Sequence, residues 1–232
     1  MKQCSHETIE SQILFEDNHI IIINKLPSQI VQGDKTGDEP LSEKVKRYIK
    51  YKYDKPGNVF VGVVHRLDRP VSGIVIFART GKALSRLNAM LQKKEIKKIY
   101  WAIVKNRPFK ETDHLIHYIY RDQKKNKSFI STNEKKGGKL AELIYRLIKS
   151  SDNYYMLEIE LLTGRHHQIR AQLAYIGCPV KGDIKYGFPR TNKDASIHLH
   201  AKSIEFFHPV SKEKIIIEAE PPDDSLWDYS AH

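Results

Sequence analysis

The stretch HRLDRPVSG, residues 65–73, stands between two apolar, largely β-branched runs, FVGVV (60–64) and GIVIFA (73–78). Short runs of this kind, bounded by charge, Pro and Gly, read as buried strands. The fold must therefore place Arg66, Asp68 and Arg69 in a turn whose two arms belong to the core. Such a turn holds a carboxylate rigidly at the mouth of two strands and beside solvent, which makes Asp68 the leading catalytic candidate. Taken alone, the same three charges also fit a solvated hairpin tip, with an ion pair worth well under about 1 kcal/mol. The rest of the chain has to decide between the two.

Around that turn the pattern is mostly strand. ILFED (13–17) and HIIIINK (19–25) flank the turn-favouring Asp17 and Asn18, and alternation of Ala141, Leu143, Tyr145 and Leu147 marks another strand over 140–148. Further strand-like runs are 99–104, 115–120, 154–162, 197–207 and 215–219. Helical spacing appears twice early on: Leu41, Val45, Tyr48 and Ile49 behind Asp38 as a candidate N-cap, with Lys46, Arg47 and Lys50 opposite, and then Ala83, Leu84, Leu87, Met90 and Leu91. No break looks like an interdomain linker. The expectation is one α+β domain on a largely antiparallel mixed sheet flanked by helices, spanning 12–221, with a polar leader at 1–11 and a loose tail at 222–232.

A second segment, LTGRHHQIRAQLAYIGCP (162–179), reads as a helix capped by Thr163, buried through Ile169, Leu173 and Ile176, and ended by Gly177 with Pro179 beyond. This puts Arg165 in the first turn, where the free N–H groups of a helix start favour an anion. His167 and Arg170, three apart, share a face and can reach one ligand. Equally, His166 and His167 fit surface positions, with Arg165 paired to a local acid.

Charge narrows the partner. There are 39 Lys and Arg against 28 Asp and Glu, a formal net charge of +11. That excess draws polyanions, nucleic acid first. Between Arg121 and Lys139 lie seven basic residues, among them Lys124, Lys125 and Lys127, and two acidic ones. The run suits either a flexible arm that meets phosphates or a merely solvated loop. The start MKQCSHETIESQ lacks an export pattern, and no stretch approaches the roughly 18 apolar residues of a membrane helix, so the expected location is cytoplasmic. Cys4 and Cys178 have neither metal-ligand nor redox spacing and read as free thiols.

Together the two segments resemble the RluA-type pseudouridine synthases. The resemblance runs through ILFEDNHIIIINKLP, VHRLDRPVSGIVIFART, KKIYWAIV, LLTGRHHQIRAQLAYIGCPVKGDIKYG and IHLHAKSIEFFHP, nearly the whole chain. It implies an enzyme that isomerises uridine in a tRNA or rRNA stem-loop: the base leaves C1′ through N1, turns, and reattaches through C5. It implies no cofactor and no metal. By the same resemblance Asp68 is the essential carboxylate, acting as nucleophile on C1′ or base at C2′. Arg165 is the arginine paired to it, and Tyr100 packs on the base and takes the C5 proton. Arg66 fills the gap left by the flipped uridine, Leu67 and Leu162 wall the pocket, and His65, His167 and Arg170 join the RNA-binding set.

Two departures from the family wording stand out. Val71 replaces a threonine before the SG pair, and the usual KP pair is spread over Lys25, Leu26 and Pro27. Few residues precede the catalytic sequence, so the small S4-type RNA-binding domain of many relatives is not expected, and recognition leans slightly toward tRNA or a short hairpin. Three other readings compete: a non-catalytic RNA binder of the same fold, a hydrolase pairing Asp68 with Asp183, and a metal site at His198, His200 and His208.

Overall fold

Ile20, Ile21, Ile22 and Ile23 of strand β2 (Ile20–Lys25) have no exposed surface, and every residue of β4 (Ser72–Ala78) is buried. Strands apolar on both faces must be covered on both. In the computed structural model, which describes residues 9–33, 37–131 and 137–227, β2 lies antiparallel to β4 at the centre of the hydrophobic core. Leu41, Val45 and Ile49 of α1 (Leu41–Lys52) and Ala83 and Leu87 of α2 (Gly81–Gln92) belong to the same core. β1 (Ile13–Glu16) folds back on β2 through a tight turn. There the Asp17 carboxylate accepts the backbone N–H groups of His19 and Ile20, both at 2.8 Å.

The remaining strands are β3 (Gly62–Val63), β5 (Lys97–Val104), β6 (Thr112–Asp122), β7 (Lys127–Ser131), β8 (Lys139–Ser150), β9 (Tyr155–Leu161), β10 (Leu199–Phe207) and β11 (Lys214–Glu218). They complete one sheet in the order β1-β2-β4-β10-β5-β9-β8-β6-β7, with β11 on β10 and β3 on β4. Among the described residues β4–β10 is the parallel pairing and the other pairs are antiparallel, so the α+β expectation holds. No helix among the described residues is long and apolar enough to cross a membrane.

The β4–β10 contact explains the Ser-Gly pair at the end of the 65–73 turn. Gly73 adopts φ +110°, and a Cβ there would run into the backbone of Ala201. Beside it the Ser72 hydroxyl bonds His200 Nδ1 at 2.9 Å while His200 Nε2 faces the Ala219 carbonyl at 3.0 Å. Burial holds the His200 ring neutral, with its pKa down to about 4. This histidine is a structural clasp between strands.

Three sequence expectations change here. The basic stretch after Arg121 is no flexible arm as far as it is described. Asp122 pairs with Lys127 in the β6–β7 hairpin, and the Tyr120 and Phe129 rings stack at 5.6 Å; Lys135 and Lys136 lie outside the described residues. The supposed loose tail packs through Trp227, buried against Ile103 and Met156. At the other end a 3-10 turn, Ile9–Gln12, buries Gln12 across the expected leader boundary. In both cases apolar or amide surface that looked dispensable at a chain end finds the core.

Candidate active site

The loop carrying Asp68 is tied down by its own backbone carbonyls. The fully buried Lys25 ammonium donates to the carbonyls of Leu26 (2.9 Å), Arg69 (3.2 Å) and Val71 (2.6 Å). Ser28 N–H also reaches Arg69 O, and Ile197 N–H reaches Pro70 O. Inserting Leu26 between Lys25 and Pro27 thus leaves the lysine in reach of the loop. His65 Nε2 accepts the Ile76 N–H at 3.2 Å, and burial, with the Lys98 charge second, lowers its pKa to about 4. That ring lines the cavity but is spent aligning the loop on β4.

Over this loop opens a cavity of about 510 Å³, lined by Arg66, Leu67, Asp68, Tyr100, Leu161, His166, His167 and Arg170 among others. Asp68 Oδ2 accepts from Arg170 Nη1 at 2.9 Å and faces His167 Nε2 at 3.5 Å. Arg170 turns its other two donors, Nε and Nη2, on the Asp183 carboxylate at 2.7 and 2.9 Å. One buried guanidinium therefore bridges two acids, a planar fork used on both sides. Burial alone would raise the Asp68 pKa, yet the His167 ring and the Arg170 guanidinium facing it, with the Arg170 hydrogen bond, hold it below the usual carboxylate value. His167 is itself pushed down to about 3 by burial and is neutral at ordinary pH, so Arg170 is the effective counter-ion. Asp68 Oδ1 has no partner among the described residues, and Asp68 lines the cavity.

Tyr100, on β5, contributes a hydroxyl that likewise has no hydrogen-bond partner among the described residues. Burial and then the Asp68 charge raise its pKa, which keeps the phenol protonated.

The sequence assigned the ion pair to Arg165, and the structure gives it to Arg170. The helix begins later than its pattern implied: α3 is Gln168–Tyr175, and Thr163 does not cap it. Instead Thr163 Oγ1 accepts the Glu142 N–H (2.8 Å) and donates to Gln168 Oε1 (2.7 Å), so residues 162–163 stay latched to β8. The chain then turns through His167 at φ +53° before the helix starts. Arg165 is left exposed on that connecting stretch, its Nε donating to Leu140 O at 2.9 Å. Arg170, in the first turn of α3, faces the catalytic loop. His167 and Arg170 both reach Asp68, as expected, although only Arg170 does so from the helix.

The rest of the expected set is divided. Arg66 is exposed on the cavity rim, and Leu67 is in the wall. Leu162 lines a neighbouring cavity, while Leu161 takes the place expected of it here. Lys124, Lys125 and Lys127 sit on the β6–β7 hairpin outside the lining; Lys127 lies over the Tyr186 ring at 4.9 Å from its centre.

Tyr186 was missed, and Asp183, named only as the second acid of the hydrolase reading, was not expected as the partner of Arg170. The Tyr186 hydroxyl contacts His167 Nδ1 (3.0 Å) and the Ser128 N–H (2.8 Å), joining the hairpin to the site, while its ring carries Arg170 at 5.1 Å. The available signal was GDIKYG: two glycines, both at positive φ, bracketing an acid and a tyrosine in a tight loop. As Arg170 already occupies both oxygens of Asp183, the acid pair of a hydrolase is not formed.

A cavity holding one ionised carboxylate, its buried arginine and a neutral phenol brings together the groups of an acid–base site. The model of the RNA pseudouridylate synthase family matches residues 19–175, more than half of the chain, and the chain belongs to that family. It is an enzyme that isomerises uridine in RNA. Over 97% of its length it is 34% identical to the ribosomal large subunit pseudouridine synthase C of Buchnera aphidicola, covering 72% of that protein. It is 34% identical to the uncharacterized RNA pseudouridine synthase YhcT of Bacillus subtilis, over 93% of this chain and 70% of the relative. The fold matches human RNA pseudouridylate synthase domain containing 4 with a TM-score of 0.78 at 19% identity, covering 94% of this chain and 92% of that one.

Proposed function

We propose that the chain makes pseudouridine in large-subunit ribosomal RNA, in the cytoplasm, with Asp68, Tyr100 and Arg170 as its catalytic group. The observation that carries the assignment is the free Oδ1 of a carboxylate kept ionised by Arg170 inside the same cavity as Tyr100. The ribosomal substrate, in place of the slight leaning toward tRNA, is supported by the names of relatives such as those from Buchnera and Rickettsia prowazekii. Arg170 fixes the Asp68 rotamer and charge while Oδ1 acts at the ribose. After the N1–C1′ bond breaks, the base turns and C5 bonds to C1′. Tyr100 accepts the proton that C5 must lose while its own phenolic proton leaves for solvent, and N1, freed from C1′, takes up one proton in exchange, so the reaction is an isomerisation; the raised Tyr100 pKa excludes a standing phenolate.

Position-resolved pseudouridine mapping of total RNA from cells with and without the gene tests this. The expected outcome is loss of pseudouridine at positions confined to large-subunit rRNA. Loss only in tRNA would overturn the substrate, and an unchanged map would overturn the reading as a whole.

A uridine within a stem has to be extruded at a cost of a few kcal/mol, and the exposed guanidinium of Arg66 is placed on the rim to fill the vacancy. Arg66→Ala is expected to cost roughly a hundredfold in rate on a stem-loop, about 2.7 kcal/mol, and little on an unstructured oligonucleotide of the same sequence. Equal losses on both would reduce Arg66 to a phosphate contact.

A further inference from the structure

Lys98 is a half-buried ammonium without a counter-ion. Its neighbours in sequence and space have acids: Lys97 lies 3.7 Å from Glu160 and Lys94 3.9 Å from Glu142. Lys98 Nζ has neither an ion pair nor a hydrogen bond among the described residues. Its pKa is lowered by burial, with no opposing charge to restore it. Leaving a desolvated cation uncompensated costs folding free energy, so its place calls for an anion that arrives with a ligand.

Position identifies the anion. Lys98 and Tyr100 are two apart on β5, so their side chains leave the same face of the strand about 7 Å apart, and both line the catalytic cavity. Lys98 also lines the adjoining cavity of about 420 Å³, as does Arg165, whose terminal guanidinium nitrogens are free among the described residues. A uridine seated on Tyr100 brings its own backbone linkages to the boundary between the two cavities. We propose that Lys98, with Arg165 beside it, forms a subsite for a backbone phosphate flanking the target uridine. This rests on the reading of the site as the uridine pocket. It gives Arg165 a role in holding the nucleotide in place of the carboxylate pairing its sequence position suggested.

The test uses the RNA fragment bearing the mapped uridine. Lys98→Met is expected to weaken binding about tenfold and to lower the log–log salt slope by about one phosphate contact. Its melting temperature is expected to stay level or rise, because the variant removes an uncompensated charge; a lysine serving only the fold would lower it. Fragments carrying a neutral methylphosphonate on the 5′ or the 3′ side of the target, with a 2′-deoxy nucleotide preceding the linkage and deoxy-only controls, locate the contact. At one of the two positions the parent should lose about tenfold and Lys98→Met should lose nothing further. A tenfold variant penalty at both neutral linkages, or a fall in melting temperature with an unchanged salt slope, would overturn the subsite. If the parent neither binds nor turns over the fragment, the failure lies with the uridine-pocket reading.

Discussion

Asp68→Asn is expected to fold normally, bind RNA nearly as well as the parent, and lose at least roughly a thousandfold in pseudouridine formation, about 4 kcal/mol of barrier. The amide keeps the shape and can still accept from Arg170 Nη1, but it is neither nucleophile nor base. Folding is spared for a specific reason: when Asp68 loses its charge, Arg170 still holds two hydrogen bonds to Asp183, so no buried cation is stranded. Single-turnover pseudouridine formation, alongside a binding isotherm and a melting curve, checks all three expectations. Turnover within tenfold of the parent would remove Asp68 from its role.

Arg170→Met should be the more destructive change. It leaves two carboxylates without their shared cation, Asp183 among them at 1% exposure, and breaking a buried pair this way costs about 3–5 kcal/mol. Adding Asp183→Asn should recover much of the melting temperature without recovering activity. The pH profile carries the sharper signature. Activity needs ionised Asp68, whose pKa in the folded parent is depressed, so the parent's rate persists above that value and fades only as pH falls through it, below the usual carboxylate range. Without Arg170, burial is the dominant influence and the acid limb moves to higher pH. Arg165→Met, by contrast, should leave the limb where it is. A limb that moved with Arg165 and stayed put in the Arg170→Met, Asp183→Asn enzyme would reverse the assignment.

Much of this was legible in local pattern. The isoleucine run of β2 and the β4 run are apolar at every position, so their burial needed no tertiary knowledge, and the polar insert between 64 and 72 had to surface as a loop. His167 and Arg170 do meet at Asp68, but through the left-handed turn at His167 and not as two positions on one helix face. What local pattern could not supply was the start of α3. Thr163 looks like a cap in sequence, but its hydroxyl is claimed by Glu142, a residue on β8, and that long-range competition moved the ion pair five residues downstream. Asp183 was invisible as a partner for a similar reason: its counter-ion is identified only once α3 is docked. Trp227 resembled a tail residue because nothing near it in sequence is apolar enough to mark a core position, apart from Leu226.

The placement of β10 has a consequence for how activity comes into being. β4 and β5 follow one another along the chain, yet β10, synthesised about a hundred residues later, lies between them. While a ribosome is still making the chain, the loop that carries Asp68 into β4 and the strand that carries Tyr100 therefore lack the strand that lies between β4 and β5, and Arg170 and Asp183 emerge later still than either. The nascent chain has to keep that place open against premature closure, a non-local and slow kind of assembly. Completion of the site therefore depends on a strand that the chain supplies late and the sheet takes up in its middle.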